Sequence, residues 1–296
     1  MRSSGWSQEQ LAAQLGVTFA TLNSWVNERS VPRTKALHSI ESLHVQILGA
    51  EEVSQEKLAE AIRLAQGFKV RASDISGDAD VLDKLTLYLT YHTNTIEGST
   101  MTLSDVGEVI FDNKVLSNRT AIEQAEARNH QAALHWLIDQ LSNKGSAFSI
   151  TEQLVCDIHL RLMNGIMSDA GVYRKHSVRI MGSHTSVANW LKIPELMAAL
   201  MVDMNDDAED IVKRLAATHA AFGQIHPFSD GSGRTGRLLL LAQALRFGVM
   251  PPLVVKERKT AYYKYLELAQ TKETMEPLEL FMAECMQFTN ALLGLK

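Results

Sequence analysis

Apolar positions along this 296-residue chain recur mostly at intervals of three and four, the period of helices that bury one face. Residues 7–17 form a first short segment, with Leu11, Ala12 and Leu15 as its stripe and Gly16 as its stop. Thr18 caps a second, carrying Leu22, Trp25 and Val26 and closed before Pro32. Residues 46–77 are mixed, a helical connection with breaks at Gly67 and Gly77. The spacing then predicts helices over 81–97, 103–111, 120–141, 151–163, 193–204, 211–223, 235–245, 261–270 and 278–293. Pro194 sits in the first turn of the 193–204 helix, and Gly294 stops the last one. Gly248 to Pro252 reads as a turn. One stretch departs from this rhythm. Val178 and Ile180 are two apart, the period of a strand, and Gly182-Ser183 follows, so 172–182 reads as a small β-hairpin. The expected fold class is all-α, a helical bundle with one small hairpin and a small N-terminal helical module.

Composition changes this picture little. Hydrophobic residues make up 46% of the chain and charged residues 21%, as in ordinary soluble proteins, and the length suits two domains. A net charge of −5 gives no global pull toward nucleic acid or anionic lipid. No run approaches the length of a membrane-spanning helix, and the first six residues do not read as a signal peptide, so no membrane partner is expected. The cysteines, Cys156 and Cys285, stand alone, which suits a reducing cytoplasm better than a disulfide scaffold. His92, His130, His159 and His219 lie on predicted helices without partners at i+4, so they do not read as metal ligands.

The chemistry concentrates in His226-Pro227-Phe228-Ser229-Asp230-Gly231-Ser232-Gly233-Arg234-Thr235-Gly236-Arg237. His226 is a candidate general base because imidazole titrates near neutral pH. Asp230 is a hard oxygen ligand of the kind Mg²⁺ takes beside substrate phosphates. Gly231 and Gly233 let backbone N–H groups approach an anion. Arg234 and Arg237, three apart, share one side of the helix that follows, whose N-terminus favours negative charge. Gly231, Gly233 and Gly236 also spell the dinucleotide fingerprint, with Glu257 in place of a ribose-binding acid. That fingerprint needs a preceding strand, and residues 215–222 are Ala-rich and read as helix. A solvated loop with chance charges is the remaining bland alternative.

The same run resembles the signature of Fic proteins, H-x-F-x-(D/E)-G-N-G-R-x-x-R, at every fixed position except one, where the family's Asn is Ser232. The resemblance implies the all-α Fic fold and transfer of AMP from ATP to a hydroxyl of a target protein. It implies His226 as the base and Asp230 as the Mg²⁺ ligand. Asp230, Gly231, Ser232, Gly233, Arg234 and Arg237 would be the phosphate cradle, with Gly182 on the hairpin. Ser offers a shorter side chain than Asn and no amide, so a slower enzyme or altered nucleotide preference is expected. Gly171-Val172-Tyr173-Arg174 resembles the opening of the family's flap, which clamps a protein substrate as an added strand, here near Val178 and Gly182; a purely structural hairpin stays open. Tyr262, Tyr263 and Gln270 match positions that line the nucleoside pocket, Gln270 in place of an Asn, although one of the tyrosines is expected in the core.

Thr93 to Gly98 resembles the family's inhibitory motif, (S/T)-x-x-x-E-(G/N). Gly98 reads as a left-handed helix stop, which leaves Glu97 at a helix C-terminus, where the dipole disfavours an anion and invites a cation. The resemblance names that cation as Arg237, so Glu97 is the expected brake, drawing Arg237 from the γ-phosphate of ATP. Removal of AMP and transfer of other phosphate-containing groups remain open for the same residues, as does a homodimer. Residues 7–33 resemble the core of a phage-repressor helix-turn-helix, with Thr18, Phe19, Thr21, Asn23 and Ser24 starting a recognition helix and Arg29 and Arg33 near phosphates. That family has a further helix ahead of Ser7, and residues 1–50 hold four Arg/Lys against three acids. Weak DNA binding, a packing module, or a DNA-binding regulator with little catalysis are therefore all open. The layout expected is 1–50 for this module, 51–79 for the connection, and 80–296 for the Fic domain with its inhibitory helix at 80–98.

Overall fold

A computed structural model describes residues 6–48, 53–179, 185–207, 210–272 and 274–295. The described residues are almost wholly helical. At the N-terminus α1 (Gln8–Gln14) starts at a capping box between Ser7 and Gln10, and α2 (Phe19–Val26) starts at Thr18, whose hydroxyl accepts from Thr21 N–H. A helix α3 (Thr34–Leu48) follows that periodicity did not reveal before residue 46. Leu37 and Ile47 stay exposed on it and blur its apolar stripe. The connection resolves into α4 (Gln55–Gly67) and α5 (Ala72–Ser76).

Asp78 caps α6 (Ala79–Ile96), and α7 (Leu103–Ile110) begins at the Thr102–Asp105 capping box. Then come α8 (Ala121–Lys144), α9 (Glu152–Leu162), α10 (Ile193–Asn205) and α11 (Ile211–Ile225). Next is α12 (Ser232–Arg246), and α13 (Lys259–Lys272) and α14 (Glu276–Leu293) close the chain. Gly98 takes the left-handed region at φ +112° after α6, and Gly294 does so at φ +67° after α14, as their places in the sequence required.

Central to the bundle is α12. Every residue from Arg234 to Leu245 on it is buried, so it presents no solvent face. Leu238, Leu239, Leu241 and Ala242 enter the larger core with Leu134, Leu137, Val155, Ile158 and Met197. Leu240 and Ala244 enter a second core with Leu215, Phe281 and Met282. That second core also takes Val45 of α3 and Leu58, Ile62 and Ala65 of α4, while Ile75 of α5 joins the first.

The hairpin expected over 172–182 is not formed among the described residues. Ile180 and Gly182 lie outside them, and 172–179 contains no strand. The isolated β-bridge that is present joins Lys69 to Val249. The reason is visible in the backbone. Arg174 N–H donates to Pro227 O at 2.9 Å, so the described start of the stretch bonds to the loop after α11, and beyond the stretch Ala188 N–H donates to Gln224 O of α11 at 3.0 Å.

Candidate functional site

The signature run becomes the loop between α11 and the buried α12. His226 ends α11 in the left-handed region at φ 48°, and Gly231 starts α12 at φ 75°. The helix therefore begins at Ser232, earlier than the position 235 that periodicity suggested, because glycine takes the left-handed N-cap without strain. A side chain at Gly231 would also strike Met163 and the ring of His159.

His159 organises the loop, a role its isolation in the sequence did not reveal. Its Nδ1 accepts from Gly171 N–H at 2.8 Å, so the ring proton sits on Nε2 and is donated to Asp230 O at 2.9 Å. The ring stacks on Phe228 with centroids 3.7 Å apart. Burial lowers its pKa, in keeping with a neutral ring that accepts at one nitrogen. Ser232 completes the loop from inside. Its buried hydroxyl accepts from Phe228 N–H at 3.2 Å, so the departure from Asn has a structural use.

His226 remains largely neutral at physiological pH. Burial, the largest influence, pushes its pKa down; a backbone hydrogen bond with Gly223 opposes it, the Arg174 charge lowers it further, and Glu97 and Asp230 raise it by less. The Asp230 side chain is 68% accessible, with one oxygen accepting from Gly231 N–H at 2.6 Å and lying 3.6 Å from Arg234 Nη2. No cluster of three or more His, Cys, Asp or Glu occurs among the described residues. A single open carboxylate beside a phosphate seat is nonetheless the environment Mg²⁺ takes, with phosphate and water completing its shell.

The two arginines diverge from their shared helix. Arg234 turns to α8 and pairs with Glu126, a partner that the sequence did not signal. Arg237 turns to α6. Its Nε donates to Thr93 Oγ1 at 2.5 Å, and its Nη2 donates to Glu97 Oε1 at 2.5 Å and to Thr93 O at 3.3 Å. Arg237 Nη1 is buried without a hydrogen bond of normal geometry, with the Tyr262 and Tyr263 phenols as its electrostatic neighbours. Partial burial pushes the Glu97 carboxyl up, but the Arg237 charge and hydrogen bond outweigh it and hold the pKa below the usual carboxylate range.

Glu97 ends α6 where the dipole disfavours it, yet its carboxylate lies over the first turn of α12, where the dipole favours an anion. Gly233 permits this approach, since a Cβ there would run into the Glu97 carboxylate and come close to Arg237 Nη1. The carboxylate thus occupies an anion seat built of glycine, helix N-terminus and arginine.

The aromatic pair divides. Tyr262 is buried at 2% exposure, with its hydroxyl 2.7 Å from His219 Nε2, whereas Tyr263 is 38% exposed. Gln270 reaches α11, donating from Nε2 to Ala220 O at 2.8 Å and packing against Gly223. Gly182 lies outside the described residues.

Residues 149–244 match the family model Fic/DOC family, and residues 1–43 match Helix-turn-helix. The first match contains the loop and α12 up to residue 244; Glu97, Tyr262, Tyr263 and Gln270 lie beyond it. The protein adenylyltransferase Fic of Nematostella vectensis is 27% identical over 265 residues, covering 87% of this chain and 58% of that protein. The protein adenylyltransferase fic-1 of Caenorhabditis briggsae is 32% identical over 200 residues, covering 66% of this chain and 38% of that one. The chain thus spans between about two fifths and three fifths of the length of these curated relatives. Among solved structures, a fragment of Fic-1 from C. elegans superposes with a TM-score of 0.69 at 22% identity, over 97% of this chain and 84% of that one. A Fic domain containing signaling protein from Bacteroides thetaiotaomicron gives 0.65 at 20% identity, over 81% and 98%. These likenesses establish the fold.

Proposed function

The chain carries a Fic domain over residues 149–244, and we propose on that footing that it transfers AMP from ATP to a Ser, Thr or Tyr hydroxyl of a protein. The observation that carries the reading is the anion seat at the start of α12, with His226 and Asp230 on the loop that leads into it. His226 takes the hydroxyl proton as that oxygen attacks the α-phosphorus. The bond to the bridging oxygen breaks and pyrophosphate leaves. The N–H groups at the start of α12, with Arg234, stabilise charge on the phosphate oxygens. Asp230 would hold Mg²⁺ together with the nucleotide, and the ion would supply charge neutralisation on the phosphates.

Glu97 is the brake in this reading. Its carboxylate takes the seat a phosphate would use and occupies Arg237, so a nucleotide binds without its productive triphosphate contacts. Because α6 belongs to the same chain, the control is intramolecular. Tyr263, exposed near the seat, suits stacking on a nucleobase better than the buried Tyr262, which serves by backing Arg237. Incubation with ATP labelled at the α-phosphate, with wild type beside Glu97→Gly, tests the reading. Label on the protein or an added target, stronger in the variant, supports it. No label in either protein, with ATP bound, rejects it.

The N-terminal module supports weak DNA contact at most. Over residues 7–33 Arg29 and Arg33 are offset by Glu9 and Glu28, so little counterion release is available. The two free thiols accord with a cytoplasmic setting, and no helix among the described residues is long and apolar enough to cross a membrane.

A further inference from the structure

Arg174 is 3% exposed, and among the described residues no carboxylate pairs with it. Its guanidinium is given entirely to backbone carbonyls. Nε donates to His226 O at 2.8 Å, Nη1 to His176 O at 2.6 Å, and Nη2 to Ala188 O at 2.7 Å and Ile225 O at 3.4 Å. Its own N–H donates to Pro227 O at 2.9 Å. Burying a cation against neutral acceptors is costly unless its donors are well used. Here the acceptors include carbonyls at the C-terminal end of α11, which have no helical partner and carry the negative end of the dipole.

These contacts meet at the residue whose backbone most needs support. His226 is one of three non-glycine residues among those described with positive φ, at 48°, a conformation that costs an L-residue free energy and persists only where its surroundings hold it. The guanidinium fork fixes the carbonyl of that residue. The same fork grips the carbonyls of His176 and Ala188.

We infer that Arg174 is a positioning residue for the transfer reaction: it caps α11, holds the left-handed backbone that aims the His226 imidazole, and ties the carbonyls of His176 and Ala188 to that backbone. The inference rests on the proposed function. Lysine cannot replace it, since an ammonium cannot reach carbonyls in three directions from one planar fork.

The charges acting on His226 are Arg174, which lowers its pKa, and Glu97 and Asp230, which raise it; burial lowers it further and the Gly223 backbone contact raises it. This separates positioning from mere stability. In the full-length protein, NMR titration of the His226 ring, assigned by loss of its signal in His226→Ala, is compared for wild type, Arg174→Lys and Arg174→Met. Arg174→Met should raise the His226 pKa, whereas Arg174→Lys, keeping a charge nearby, should move it less. In the Glu97→Gly background both variants should lose about ten- to a hundredfold in kcat with little change in KM for ATP, because alignment and not nucleotide binding is lost.

An unchanged His226 pKa in Arg174→Met, or full kcat in both variants, overturns the assignment. Should Arg174→Met fail to fold, judged by circular dichroism, Arg174→Lys decides alone through kcat at unchanged KM. If Glu97→Gly itself transfers no AMP, the functional reading fails while the titration still decides whether Arg174 acts on His226.

Discussion

Glu97 Oε1 accepts a hydrogen bond from Arg237 Nη2 at 2.5 Å across 140 positions of sequence. The arginine side chain is 4% accessible and the glutamate 30%. The pair is therefore lopsided. The cation is committed to the interior and the anion stands at the edge of solvent, able to leave while Arg237 keeps Thr93.

Glu97→Gly should raise AMP transfer well above wild type. Arg237 then loses its carboxylate, and the loss in stability should be about 1–3 kcal/mol, below the figure for a fully buried pair because Glu97 is partly solvated. Calorimetry should show a lower Tm that ATP with Mg²⁺ partly restores. Glu97→Gly combined with Arg237→Ala should be inactive. A single variant no more active than wild type would remove the brake.

His226→Ala should reduce transfer by about two to four orders of magnitude while ATP affinity stays near wild type. Burial and Arg174 hold the wild-type pKa below its ordinary value. The acid limb of the pH–rate profile should accordingly lie below 6.5, the value of an unperturbed histidine. A limb at or above that value contradicts the assignment.

Asp230→Ala should abolish the Mg²⁺ dependence of nucleotide binding and leave metal-free binding nearly intact, measured by calorimetry with and without the ion. Asp230 is accessible, accepting from Gly231 N–H and lying 3.6 Å from Arg234 Nη2, which keeps Glu126, so the fold should survive. Equal loss with and without Mg²⁺ would mark Asp230 as a loop support instead.

Ser232→Ala strands a buried Phe228 N–H, which loses its 3.2 Å acceptor. The expected loss is about 1–3 kcal/mol in stability, seen as a lower Tm, with a lower kcat because Phe228 and His226 share the loop. An unchanged Tm would mean that Ser232 does not hold the loop.

Acid should destabilise the fold well above the carboxylate range. Burial, with Arg237 beside them, lowers both His130 and His219 from 6.5 to about 3. Between those values the unfolded chain binds protons that the folded one refuses, so stability rises with pH and is lost as pH falls below about 6.5. By pH 5 each should cost about 2 kcal/mol. A Tm that is flat from pH 7 to 5 would contradict this, and His130→Asn should flatten the slope.

Local order was legible wherever one residue decides it. Thr18 caps the helix it precedes. Gly98 and Gly294 end theirs, because capping and left-handed φ depend on a few adjacent atoms. The loop His226 to Arg237 was legible as chemistry, since its reactive groups are contiguous. The pairing of Glu97 with Arg237 was legible only through resemblance. No local rule connects residues 140 apart.

What the tertiary structure decided is where isolated side chains meet. His159 and Glu126 carry no spacing signal, yet both close on the loop or its arginines, because α9 and α8 pack around one helix with no exposed face. It also decided that Tyr262 is core and Tyr263 is not, a difference between adjacent positions that helix rotation sets. It left 172–179 without a strand, with Arg174 N–H bonded to Pro227 O past α11. Short-range geometry is written in neighbouring residues; the seat for an anion is written in the packing of helices that the chain brings together from its two ends.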